Sequence, residues 1–206
     1  MTRQQQIDRI YKPLLFLVCL LPFARLVAAA FGFAGQSLSA NPVEDILHSL
    51  GLWGLKFLVL TLMVTPLRDL LGKPWLLSFR RMLGLYTFFY ILMHFLTWLI
   101  IDQDFYLAGV LEDVAKRPFI TIGFAAFLML IPLAITSMNG MMRRLGKRWK
   151  KLHRLVYVIA ILGVWHYYWL IKADIREPLA YAGVIALLLG YRVWKARKRS
   201  RVQATA

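Results

Sequence analysis

Residues 150–171 read KKLHRLVYVIAILGVWHYYWLI, an apolar run with one histidine near its start, His153, and another near its end, His166. The length suits a membrane-crossing helix. Hydrocarbon penalises polar groups, so two imidazoles in such a helix ask what satisfies them. Five further apolar runs surround it, at about 13–33, 46–66, 80–101, 118–138 and 178–195, with the first taken here as about 152–171. The chain has 206 residues, 60% of them hydrophobic, and a mean hydropathy of +0.59. Connections are short, no internal repeat or low-complexity linker stands out, and no stretch outside the runs is long enough for a separate domain. Helices satisfy their own backbone hydrogen bonds in lipid. The expectation is an all-α polytopic membrane protein: one integral membrane domain over 1–206, six transmembrane helices in a bundle, and a core at about 46–171.

The formal net charge of +16 suggests nucleic acid until the charges are placed. Twenty of the 26 Lys and Arg fall on the amino terminus, the 66–81 loop, the 138–154 loop and the tail, all on one side of the spans. The other side carries Lys116, Arg117, Lys172 and Arg176 with eight of the ten acids: Glu44, Asp45, Asp102, Asp104, Glu112, Asp113, Asp174 and Glu177. Positive charge marks the cytoplasmic side, so both termini are expected there, and lipid rather than nucleic acid is the expected partner of the basic residues. The first run reads as an uncleaved anchor, although LVAAAFG at 26–32 offers the small residues of a cleavable signal. Cys19 is the single cysteine, which excludes an intramolecular disulfide, and no C-x-x-C-H motif is present for thioether attachment of a haem.

With this topology, His94 lies thirteen residues beyond Arg81 on an outward-running helix, about 20 Å from the inner boundary. His166 lies thirteen residues beyond His153, which sits near that boundary. His94 and His166 therefore reach matching depths on two different helices, where two imidazoles could clamp one planar iron porphyrin between them. The alternative for any one membrane histidine is a hydrogen bond across helices. His153 is an additional candidate ligand for a second haem, but arginines stand at 80 and 81 where a partner histidine would be needed. His153 and His166 also point roughly 140° apart on a straight helix. Lys56, in GLWGLKFLVLTLMVTP, falls near mid-membrane and, with His48, is a candidate contact for a haem propionate or a quinone. Trp53, Trp98, Trp165 and Trp169 read mainly as an interfacial aromatic belt.

RRMLGLYTFFYILMHFLTWL, GKRWKKLHRLVYVIAILGVWHYYW and PVEDILHSLGLWGLKFLVLTLMVTPL together resemble the bacterial MsrQ (YedZ) family, within the ferric reductase-like transmembrane group that includes NADPH oxidases. The likeness covers roughly residues 13–195. It implies a b-type haem protein of the bacterial inner membrane that delivers electrons to a periplasmic molybdopterin enzyme, MsrP, which reduces methionine sulfoxide in oxidised proteins. It places the family's haem-associated histidines on His94, His153 and His166, and implies FMN, for which no motif is evident. The Gly-rich dinucleotide fingerprint of the larger relatives is missing. Electrons are therefore expected from membrane quinol or a separate cytoplasmic flavin reductase, with Arg143, Arg144, Lys147 and Arg148 as flavin or donor contacts. The acidic 102–113 region is the expected contact for the soluble acceptor, and the chain is expected to be an electron-transfer component without a complete catalytic site for sulfoxide reduction of its own. Two rivals stand beside this reading: a free-standing ferric or oxygen reductase cytochrome, and a proton-coupled transporter using buried His and Lys.

Overall fold

The computed structural model describes residues 2–35, 37–171 and 174–204. Lys172, counted above with the acidic side, lies outside them, as does the side chain of Arg199. Apart from short connections the described residues are helical, with a 3-10 turn at Phe33–Gly35 and nine longer helices: α1 Arg3–Ala30, α2 Pro42–Leu71, α3 Pro74–Asp102, α4 Leu107–Lys116, α5 Pro118–Ile135, α6 Asn139–Leu145, α7 Lys147–Leu152, α8 Leu155–Leu170 and α9 Arg176–Ala204. Five of these, α1, α2, α3, α5 and α9, are long and apolar enough to cross a membrane. The chain is a polytopic α-helical membrane protein. α8 is equally apolar in character but has only 16 residues.

Local chemistry sets the ends. Asn41 caps α2, accepting from the Glu44 N–H while its own amide donates to the Glu44 carboxylate at 2.9 Å, and Pro42 follows where no helical donor is lost. The same helix stops at Gly72, whose φ of 63° is left-handed, and the Lys73 N–H turns back to the Arg68 carbonyl at 3.2 Å. α5 ends short of the expected 138. The Thr136 and Ser137 hydroxyls fold back onto the Pro132 and Leu133 carbonyls at 2.6 and 2.7 Å and close the last turn. α1 likewise stops at Ala30 rather than 33, before Gly32 at a φ of 67°. The expected fifth span starts late because Gly146, with φ 50°, separates two short helices and His153 falls in the turn after α7.

α2 is the central helix: half of its apolar window is buried inside the bundle, against 6% for α1 and α9. One cluster joins it to α5, α8 and α9 through Leu55, Leu58, Leu62, Leu130, Ile159, Ala160 and Ile185. The other joins it to α1 and α3 through Leu50, Phe57, Cys19, Leu83, Tyr86 and Tyr90. α1 is fixed by two tyrosines one turn apart on α3. Tyr86 donates to the Phe16 carbonyl at 2.7 Å. The Tyr90 hydroxyl accepts from the Phe23 N–H at 3.0 Å and donates to the Cys19 carbonyl at 2.9 Å, so it stands inside the helical ladder beside Pro22.

Ties at the two ends hold the rest. On the basic face, Asp69 at the end of α2 accepts from Arg68, from the Tyr191 hydroxyl at 2.8 Å and from Lys195 of α9. Arg192 donates to the Leu62 carbonyl at 2.6 Å with its guanidinium over the Tyr157 ring. Arg81 donates to Asn139 at the head of α6. On the acidic face, Tyr167 donates to Glu177 at 2.8 Å, linking α8 to α9.

A candidate haem site between α3 and α8

His94 projects from the C-terminal half of α3 toward α2. Its Nδ1 lies 2.9 Å from the Leu47 carbonyl, and its ring lies against Gly51. His166 projects from α8 toward α5, with Nδ1 2.7 Å from the Phe119 carbonyl and its ring against Gly123. A carbonyl oxygen only accepts, so in both rings Nδ1 carries the proton and Nε2 keeps the lone pair. The two ring centroids are 6.2 Å apart with the planes nearly perpendicular, at 82°. Two helix pairs, α2 with α3 and α5 with α8, thus present two imidazoles of the same tautomer to one space. Such an arrangement can hold one metal from opposite sides, with each ligand oriented by a backbone acceptor behind it. Phe119 flanks His166 with ring centres 6.2 Å apart, and Phe95 and Phe127 stack at 4.6 Å between α3 and α5, keeping the surroundings apolar. Among the described residues no three His, Cys, Asp or Glu converge as a metal-ligating set.

The other sequence candidates take different neighbours. His153 stacks on Trp149 with centroids 4.0 Å apart, and its Nε2 lies 3.1 Å from the Thr136 hydroxyl. Burial pushes its imidazole below the ordinary 6.5, and the Arg80 guanidinium adds to the effect. Lys56 is half-buried, its ammonium 4.6 Å from the centre of the Trp53 ring. Trp53 itself packs on Phe57 and Tyr90, so it belongs to the α2–α3 interior rather than to an interfacial belt. Trp165 and Trp169 are the exposed pair. His48 is exposed on the acidic face with its ring 6.1 Å from Tyr167. Arg143, Arg144, Lys147 and Arg148 are all exposed on α6 and α7. In the 102–113 region two of the acids are paired: Glu112 with Lys116 at 2.5 Å and Asp113 with Arg117 at 3.1 Å.

Residues 50–164 match the family model described as "Ferric reductase like transmembrane component". A Xanthomonas campestris pv. campestris (strain B100) relative is 52% identical over 169 residues, covering 82% of this chain and 78% of its own length. It is named protein-methionine-sulfoxide reductase heme-binding subunit MsrQ. The chain belongs to the MsrQ family. A Ralstonia nicotianae (strain ATCC BAA-1114 / GMI1000) member of the same name is 52% identical over 194 residues, 93% of this chain and 88% of its own. No solved structure matches the chain. The two carbonyl acceptors and the two glycines behind His94 and His166 escape inspection of the sequence by residue type. A backbone carbonyl has no signature, but the equal spacing is one: acceptor and histidine are 47 residues apart in both helix pairs.

Proposed function

We propose that this MsrQ-family chain is a haem b electron-transfer subunit of the bacterial inner membrane, six-spanning with both termini cytoplasmic. In this reading it passes electrons from quinol or a cytoplasmic flavin reductase to a periplasmic molybdopterin methionine sulfoxide reductase of the MsrP type. The observation that carries it is the spacing of His94 and His166. A metal–imidazole bond is about 2 Å and the ring centre lies about 1 Å behind the nitrogen, by the bond lengths of the ring. Two imidazoles on opposite sides of one iron therefore have centres about 6 Å apart, and these two are at 6.2 Å. Two protein nitrogens suit a metal whose other positions come from a macrocycle.

A bound haem would supply the one-electron couple and the equatorial nitrogens. His94 and His166 would hold the iron through Nε2, each ring oriented by its hydrogen bond at Nδ1. Two protein ligands would leave oxygen no place on the metal, which favours electron transfer over oxygen activation. His48 stands next to Leu47, at the level of the pair and open to the acidic face, so it suits a propionate better than Lys56 does. Lys56 is left with a quinone or its Trp53 contact. The exposed Arg143, Arg144, Lys147 and Arg148 form a donor or flavin-phosphate surface on the basic face. A second haem at His153 would have to displace Thr136 and Trp149, so one haem is the favoured count.

The test is transfer across a membrane. Vesicles holding the chain, with quinol in the bilayer or NADH and a flavin reductase inside, are given the molybdopterin reductase and a methionine sulfoxide substrate outside. Sulfoxide reduction that needs the chain and disappears in His94→Ala or His166→Ala is expected. Equal electron flow to ferric chelates or oxygen with no partner present would favour the free-standing reductase instead.

A further inference from the structure

Both histidines of the pair sit on a glycine four residues beyond the carbonyl that each one bonds: Gly51 after Leu47, Gly123 after Phe119. In a helix the N–H of residue i+4 bonds the carbonyl of residue i. Each of these carbonyls therefore serves a glycine N–H and an imidazole N–H together, using both lone pairs. With the 47-residue separation shared by the two pairs, α2–α3 and α5–α8 present the same carbonyl–glycine–histidine module twice.

The two seats are not equally tight. A Cβ at Gly51 would meet His94 Nδ1 at 3.2 Å and Cε1 at 3.3 Å, a contact relieved by a few tenths of an ångström. A Cβ at Gly123 would meet His166 Nδ1 at 2.7 Å and Cε1 at 2.9 Å, closer than real Cβ contacts come. The His166 ring is also tied at 2.7 Å to a carbonyl in the first turns of α5, so it has little room to retreat. We infer that Gly51 and Gly123 are positioning residues that set the two imidazoles at the iron, and that the Gly123 seat is the rigid one while the Gly51 seat yields. This rests on the bis-histidine reading above.

Gly54 supplies the control. A Cβ there would meet Ile91 Cδ1 at 2.5 Å and Cγ1 at 2.7 Å, so it crowds the same α2–α3 contact more tightly than Gly51 does, but with no atom of His94 among its nearest neighbours. Gly51→Ala, Gly54→Ala and Gly123→Ala are compared for haem-to-protein ratio, low-spin EPR line shape and midpoint potential in the purified full chain. Gly123→Ala is expected to lose most of the low-spin signal. Gly51→Ala should keep it with an altered line shape or a shifted potential, and Gly54→Ala should leave the spectrum unchanged. Thermal stability without reference to haem gives a second measure, in case Gly123→Ala folds poorly. Its penalty should vanish in a His166→Ala background, where the clash is gone, and persist in a His94→Ala background. An unchanged spectrum in Gly123→Ala, or a penalty independent of His166, overturns the seat proposal. Retention of the low-spin signal in His94→Ala and His166→Ala would instead sink the ligand assignment itself, so the two failures are distinguishable.

Discussion

Replacing Tyr90 with phenylalanine removes one hydroxyl and two hydrogen bonds, from the Phe23 N–H and to the Cys19 carbonyl. The ring stays in its contacts with Phe57, Phe23 and Phe89, so the change is confined to polarity. Two limits bracket the cost. If α1 closes its own Phe23-to-Cys19 bond, little is lost. If the two groups remain open in an apolar surround, each unsatisfied group costs about 1–3 kcal/mol. Hydrogen bonds between membrane helices average about 0.6 kcal/mol and reach about 2. A loss of about 2 kcal/mol is expected for the pair, because the hydroxyl occupies the gap that the helix would have to close beside Pro22. For a chain of this size that is a fall of about 4–8 °C in Tm. Tyr86→Phe removes only the bond to the Phe16 carbonyl, whose own helical donor remains, and should cost about half as much. The assay is thermal unfolding in detergent followed by tryptophan fluorescence, with the haem absorbance recorded in parallel. Both variants should keep full haem content, since neither hydroxyl touches His94 or His166. Equal Tm for Tyr90→Phe and the parent, or a larger loss for Tyr86→Phe, would refute the claim that these hydroxyls fix α1.

Three further outcomes follow from the same structure. The lowered pKa of His153 means that the folded chain favours the neutral ring. Its contribution to stability is complete above about pH 6.5, the ordinary value, and is lost as pH falls through the lowered one, so His153→Gln should narrow the difference in Tm between pH 7.5 and pH 5. Asp69→Asn and Lys195→Gln should each lower Tm, and the double variant should lose less than the sum, because the two side chains share one ion pair between α2 and α9. Replacing Arg143, Arg144, Lys147 and Arg148 together with glutamine should slow reduction by a flavin reductase and flatten its salt dependence, with haem content and quinol-driven reduction unchanged.

The helical class was readable because long apolar runs leave few alternatives in lipid, and the level of His94 and His166 because a helix converts residue count into depth. Helix ends were less so. Thr136 and Ser137 look compatible with a continuing span until their hydroxyls are seen folded back onto the preceding turn. Gly146 similarly hides a break that moves His153 out of α8. Trp53 resembles a belt residue by position alone, yet α2 is the buried centre of the bundle and carries it inward. The carbonyls of Leu47 and Phe119 could not be read at all from side-chain types. Only the equal separation of each glycine from its histidine carried that information, and one shared glycine with one shared histidine is too little to register as a repeat.

Low-spin spectra of the purified, haem-loaded chain, recorded for the parent and for His94→Ala, His166→Ala and His153→Ala, bear most directly on the central assignment. Loss of the low-spin signal in the first two, with its survival in the third, is the predicted pattern. Survival in both of the first two, or loss in His153→Ala alone, would contradict an iron held between α3 and α8.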